Sequence, residues 1–182
     1  MPTRRELVDA LSAVVGQEHV LWRPEDLLVY EFDGTIEKKQ PYAVVFPDGA
    51  DEVASIVRIC NQMRIPVTPR GAGTGLSGGA VPTKRGVVVA TSRMRRILEV
   101  DPADRVAVVE PGVANIHLTE AAAKHGLFYA PDPSSQKACT IGGNVAENAG
   151  GPHCLALGVT QNHVLGVEVV TAAGEIKWLG GR

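Results

Sequence analysis

The chain has 182 residues, 45% hydrophobic and 21% charged, with 18 Lys plus Arg against 20 Asp plus Glu. At roughly 150 residues per domain that is about one ordinary domain, and the composition excludes a disordered or membrane-embedded chain. A net charge of -2 without a basic run gives no electrostatic footprint for nucleic acid and no polybasic membrane patch, which leaves small-molecule chemistry as the better class.

Thr3 and Glu6 have capping-box spacing, and Leu7, Val8, Leu11, Val14 and Val15 follow with a helical period, so the N-terminus reads as a helix and not as a targeting peptide. Tyr42 to Pro47 reads as a buried strand. Asp51 to Arg64 reads as a helix with Val53, Ile56, Val57, Cys60 and Met63 on one face. Ile65 to Pro69 and Gly86 to Ala90 are two further short strands on either side of a glycine-rich loop. Ile97 to Val100 and Arg105 to Val109 flank Asp101-Pro102-Ala103-Asp104, a turn sequence that predicts a hairpin. Asn115 is expected to cap a helix reaching His125 and ending at Gly126. Val164 to Val170 and the Ala173-Gly174 turn follow. The closing run Ile176 to Arg182 reads as a strand entering a turn, so the chain is taken as truncated at its C-terminus. Asn148 to Val167 lacks Asp, Glu, Lys and Arg, but its glycines, Pro152 and histidines reject a membrane span. Three cysteines, Cys60, Cys139 and Cys154, cannot all pair, and no secretory segment precedes them, which points to a reducing, cytoplasmic setting. Two β-rich units with helices, meeting near residue 96, make an α+β fold.

Two constellations carry chemistry. In the first, Pro69 to Gly79, residues Gly73 to Gly78 match the G-x-G-x-x-G pattern of a Rossmann turn. That pattern requires a helix to open behind it, and Pro82 and Gly86 interrupt any such helix. A P-loop also fails, because no Gly-Lys-Ser/Thr ends the loop. What remains is either a phosphate cradle of backbone N–H groups, with the Thr74 and Ser77 hydroxyls and Arg70 adding donors and charge, or a flexible turn. The second constellation runs from Pro131 to Gly151, with two Gly-Gly pairs and Asn144 and Asn148. It reads as a ligand loop whose glycines leave a flat ligand face uncovered, or as a large surface loop. With one such loop in each half, a single long ligand is expected between the halves.

Pro-Arg-Gly-x-Gly-Thr-x-Leu-x-Gly, followed by Pro-Asp-Pro-Ser-Ser, Thr-Ile-Gly-Gly-Asn and Asn-Ala-Gly-Gly, resembles the FAD-binding domain of the vanillyl-alcohol oxidase and p-cresol methylhydroxylase (PCMH) superfamily. Within it, the match is closest to the branch of glycolate oxidase FAD subunits and FAD-linked D-lactate dehydrogenases. The resemblance runs from about Pro41 to the end. It implies a PCMH-type fold of two α+β subdomains with FAD between them, 40–96 and 97–182 here, behind an N-terminal helical extension over 1–39 and without the substrate cap. It assigns Pro69, Arg70, Gly71, Ala72, Gly73, Thr74, Gly75, Leu76, Ser77 and Gly78 to cofactor binding, with the backbone of Arg70 to Gly78 on the FAD pyrophosphate. Pro131, Thr140, Ile141, Gly142, Gly143, Asn148 and Gly150 would lie along the flavin and its diphosphate, and Val169 near the adenosine. Thr74 stands where relatives with covalent flavin near this loop carry His, so noncovalent FAD is implied. Leu155-Ala156-Leu157-Gly158 stands where many relatives read Leu-Lys-Tyr-Gly.

The implied function is oxidation of a 2-hydroxy acid such as glycolate or D-lactate by hydride transfer to flavin. Electrons would pass to an iron-sulfur partner, a second FAD-family subunit or a quinone, and any membrane contact would be peripheral, at the inner face and through partners. The alternative is a noncatalytic FAD-binding subunit. No catalytic base is identified. His153 lies beside Gly150-Gly151, but with no carboxylate at recognisable spacing it reads first as a loop histidine bonded to backbone. His117, His125 and His163 form no metal pattern with the cysteines. Cys139 and Cys154 are expected as small buried hydrophobes, and Glu110 as a strand-end residue.

Overall fold

The computed structural model describes residues 3–181. In chain order the elements are α1 (Arg4–Val15), β1 (Val20–Leu21), α2 (Pro24–Leu27), β2 (Ala43–Val45), α3 (Ala50–Met63), β3 (Val67–Arg70), β4 (Val87–Ala90), β5 (Ile97–Asp101), β6 (Val106–Val109), α4 (Asn115–Ala123), α5 (Ile141–Glu147), α6 (Cys154–Leu157), β7 (Gly166–Val170) and β8 (Ile176–Gly180). Arg182, which the sequence reading takes into the closing turn, lies outside the described residues. The fold is α+β and divides into two units, residues 1–93 with 165–182, and residues 94–164.

The first unit is built on a four-stranded sheet of order β1-β2-β4-β3. β2, β4 and β3 run parallel, and β1 lies antiparallel on the edge. β2 and β4 are buried along their whole length, as central strands of a parallel sheet covered on both faces require, which explains their unbroken apolar sequences. Alternation divides their side chains. Ala43, Val45, Val87 and Val89 join Leu7, Leu11 and Val15 of α1 and Ile56 and Cys60 of α3, while Val44, Val88 and Ala90 pack with Leu27 on the opposite face. Each fully buried Leu, Ile or Val contributes about 2 kcal/mol, so this double-faced core dominates the stability of the unit.

The predicted capping box starts α1, with the Thr3 hydroxyl accepting from the Glu6 N–H at 3.2 Å and the Glu6 carboxylate accepting from the Thr3 N–H at 2.7 Å. Its apolar stripe is an integral layer of the core, so this helix is no appendage to the sheet. On α3, Ile56 and Cys60 form the buried centre, and burial pushes the Cys60 thiol up to about 11. The β7–β8 hairpin also belongs here, whereas the sequence reading carries the second subdomain through residue 182. Arg58 donates to the Gly174 carbonyl at 2.7 Å and Asn61 to the Ala172 carbonyl at 2.6 Å, which ties the hairpin turn to α3.

The second unit opens with the β5–β6 hairpin. Its turn is held by the Asp101 carboxylate, which accepts from the Ala103 and Asp104 N–H groups, and Arg105 takes the left-handed position at φ 57°. Glu110, just past β6, is buried and takes two hydrogen bonds from the Arg96 guanidinium and one from its backbone N–H. Burial would raise this carboxyl, but Arg96 outweighs that and holds it below the usual range. One expectation is corrected: Asn115 does not cap α4. Ala114 is the N-cap residue, and Asn115 is the first helical residue, fully buried, with its amide donating to the Pro131 carbonyl at 2.9 Å.

Candidate functional site

The glycine-rich loop of the first unit leaves the C-terminal end of β3 at Arg70 and stays irregular to residue 86, with no helix behind the glycines. The Rossmann reading therefore fails on geometry, as Pro82 and Gly86 require. Arg70 is only 8% exposed. Its guanidinium donates to the carbonyls of Phe32 at 2.7 Å and of Ala80 and Val29 at 3.4 Å, and lies 5.5 Å from the centroid of the Tyr30 ring. The side chain is thus turned inward as a brace, which corrects its reading as a charged donor to an anion. Its charge faces Asp33, whose carboxylate accepts from the Thr35 N–H and hydroxyl. Burial would raise Asp33, but the Thr35 bonds and the Arg70 charge hold it below the usual carboxylate range.

The brace shapes the loop. Gly73 takes φ 72°, and a Cβ there would fall on the Arg70 guanidinium, so both the conformation and the contact demand glycine. Gly78, at φ 78°, faces open space. The Gly34 N–H donates to the Gly75 carbonyl at 2.9 Å and pins the loop from the other side. Among the described residues, the backbone N–H groups of residues 71–78 and the Thr74 and Ser77 hydroxyls donate no hydrogen bond. A fixed, accessible loop with a run of uncommitted donors fits a phosphate-bearing ligand such as a dinucleotide pyrophosphate.

The corresponding segment of the second unit is arranged differently. Ala114 and Thr140 form a β-bridge, the Asn115 N–H donates to the Cys139 carbonyl, and the Ile141 and Gly142 N–H groups donate to Val113 and Pro111. Thr140 caps α5 by accepting from Gly143 at 3.2 Å. At three of its glycines a side chain would meet protein. Cβ atoms would strike Pro111 from Gly142 and Asp132 from Gly151, and one on Gly150 would crowd Val159. Asn148 ends α5 in the left-handed conformation, and its side-chain oxygen accepts from the Gln161 N–H. Asn144 is buried, with its amide nitrogen unpartnered among the described residues.

Asp132 and His153 form the pair that the sequence reading missed. Nδ1 of His153 stands 2.5 Å from the Asp132 carboxylate, and the hydrogen bond from His153 holds that carboxyl below the usual range. The two residues are 21 positions apart, and the only sequence signal was Gly151, whose missing side chain leaves room for Asp132. Of the cysteines, Cys139 is buried as expected, but Cys154 is exposed at the start of α6. Val169 sits half-buried in β7, opposite Lys177, in the first unit. Among the described residues no cluster of three His, Cys, Asp or Glu is placed to hold a metal, and no helix is long and apolar enough to cross a membrane.

The α+β fold with its open glycine loop belongs to a class of FAD-binding proteins with a PCMH-type fold, as comparison with known proteins shows. The family model described as "FAD binding domain" matches residues 41–180, and the chain belongs to that family. It is 47% identical over 97% of its length to glycolate oxidase subunit GlcD of Escherichia coli (strain K12), covering 36% of that protein. It is 42% identical over 96% of its length to the D-lactate dehydrogenase of Archaeoglobus fulgidus, covering 39% of it. The solved structure of p-cresol methylhydroxylase with substrate bound matches 96% of the chain with a TM-score of 0.79 at 26% identity, over 35% of that protein. The chain thus spans little more than a third of the length of these relatives, and its cofactor is FAD.

Proposed function

We propose that the chain is the FAD-holding portion of a flavoprotein that oxidises a 2-hydroxy acid of the glycolate or D-lactate type. The observation that carries this reading is the braced loop over residues 71–78 with its uncommitted N–H groups. The substrate class is supported by the names of the relatives, a glycolate oxidase subunit and a D-lactate dehydrogenase.

In this reading the backbone of residues 70–78 holds the FAD diphosphate, Thr74 and Ser77 add hydroxyl donors, and Pro131, Thr140 to Gly143, Asn148 and Gly150 of the second subdomain lie along the cofactor. Bound FAD supplies a two-electron acceptor for the hydride leaving the α-carbon of the substrate. The residues of the chain bind and orient. Arg70 keeps the loop in one shape, so the donors are arranged before the ligand arrives and little conformational entropy is lost on binding. No histidine stands in residues 71–80, so this loop holds FAD noncovalently. Electrons pass onward to a partner of iron-sulfur or FAD-family type; that a relative is named as a subunit supports a partner, not its kind.

The test is FAD titration of the chain after gel filtration, followed by anaerobic addition of glycolate or D-lactate to the full-length protein. Stoichiometric flavin and bleaching by one of these acids are expected. Bound flavin that no 2-hydroxy acid bleaches would overturn the substrate class, and absence of bound flavin in both forms would overturn the cradle.

A further inference from the structure

A second concentration of charge lies away from both glycine loops. Arg4 at the start of α1, Lys38 and Lys39 ahead of β2, and Lys84 and Arg85 ahead of β4 line a cleft of about 360 Å³ with Gln40, Pro41 and Tyr42. No acidic residue lines it, and among the described residues none of the five cations is in an ion pair. A chain of net charge -2 therefore places five of its 18 basic side chains around one concavity.

Tyr42 organises the cleft. Arg4 Nε donates to its carbonyl at 2.9 Å, and the Arg4 and Arg85 guanidinium carbons lie 5.9 and 6.0 Å from its ring centroid. Nη2 of Arg4 is buried and has no acceptor among the described residues. Gathered like charges repel one another, and one anion seated in the cleft relieves that repulsion. The location separates this cleft from the FAD cradle. Tyr42 and Arg85 stand just before the starts of the parallel strands β2 and β4, whereas the loop over 71–78 leaves the C-terminal end of β3, at the other end of the same sheet.

We propose that this cleft is a second anion site, for a small ligand of the phosphate class carrying two or more negative charges. Its volume is at the lower end of the range for small-molecule sites, roughly 300–1,000 Å³. Two guanidinium groups supply directional donors for phosphate oxygens, and three lysines supply charge.

The test is calorimetric titration of inorganic pyrophosphate into the full chain saturated with FAD, at constant ionic strength. The comparison is a Lys38→Gln/Lys84→Gln variant, whose two side chains are exposed and lie outside the cradle. Saturable binding is expected, weakened at least tenfold in the variant while FAD affinity is unchanged. No saturable binding, or equal binding by the variant, overturns the proposal. Because the comparison is between cleft variants, it reads the cleft even if the chain holds no FAD. Vesicles containing phosphatidic acid distinguish the source: capture that pyrophosphate reverses assigns the site to a lipid headgroup, and binding of pyrophosphate alone assigns it to a soluble phosphate compound.

Discussion

Residues 71–80 and residues 131–151 are both rich in glycine, yet their backbones are committed differently. In the first loop the glycines serve a left-handed turn and an open approach, and a run of N–H groups is left for a ligand. In the second, glycines let Pro111, Val159 and Asp132 pack closely, and many N–H groups already have acceptors within the unit. Glycine content alone does not mark a ligand face; which backbone N–H groups are left without acceptors separates the two loops.

Substitutions can break or sharpen this contrast. The largest effect is expected from Arg70→Ala, which leaves the Phe32, Val29 and Ala80 carbonyls without their shared donor and removes the brace. A loss of about 3 kcal/mol by denaturant unfolding is expected, with loss of FAD retention. Arg70→Lys should recover less than half of it, because an ammonium cannot reproduce the fork. Gly151→Ala comes next, placing a methyl group on Asp132; about 2 kcal/mol is expected, with little change in FAD affinity if the second loop is chiefly scaffold. In the first loop, Gly73→Ala should weaken FAD binding about tenfold in a fluorescence titration, through strain and contact with Arg70, whereas Gly78→Ala carries only the conformational cost of about 1 kcal/mol. Equal effects at the two positions would refute the brace.

The smallest effect concerns pH. The Asp132 carboxyl is lowered on folding, so its contribution is present above its unfolded value near 3.8 and is lost as pH falls through the lower folded value. The Tm advantage of the native chain over Asp132→Asn should therefore hold above about pH 5 and shrink as pH falls below about 4, as followed by circular dichroism.

Local signals in the sequence translated well: the Thr3–Glu6 cap, the strand runs, and the Asp101 turn all depend on residues a few positions apart. Besides the Asp132–His153 pair, three features escaped because they join distant positions. Arg70 looks like an anion donor beside its glycines until the carbonyls of residues 29 and 32 are seen beneath it. Asn115 has the residue type of a cap, yet burial and the Pro131 carbonyl place it one position inside the helix. The basic cleft is drawn from three segments, none of which is a basic run, so a scan for charge along the chain passes over it.

The bond from Arg58 to the Gly174 carbonyl closes a separation of 116 residues, with the whole second unit lying between its ends. Ribosomes elongate at roughly 5–20 residues per second, so α3 waits on the order of ten seconds for the hairpin that covers it. The intervening unit is contiguous and free to fold during that interval. Birth order in this protein is therefore inside out: the segment made second can be finished first, and the unit begun first is completed last.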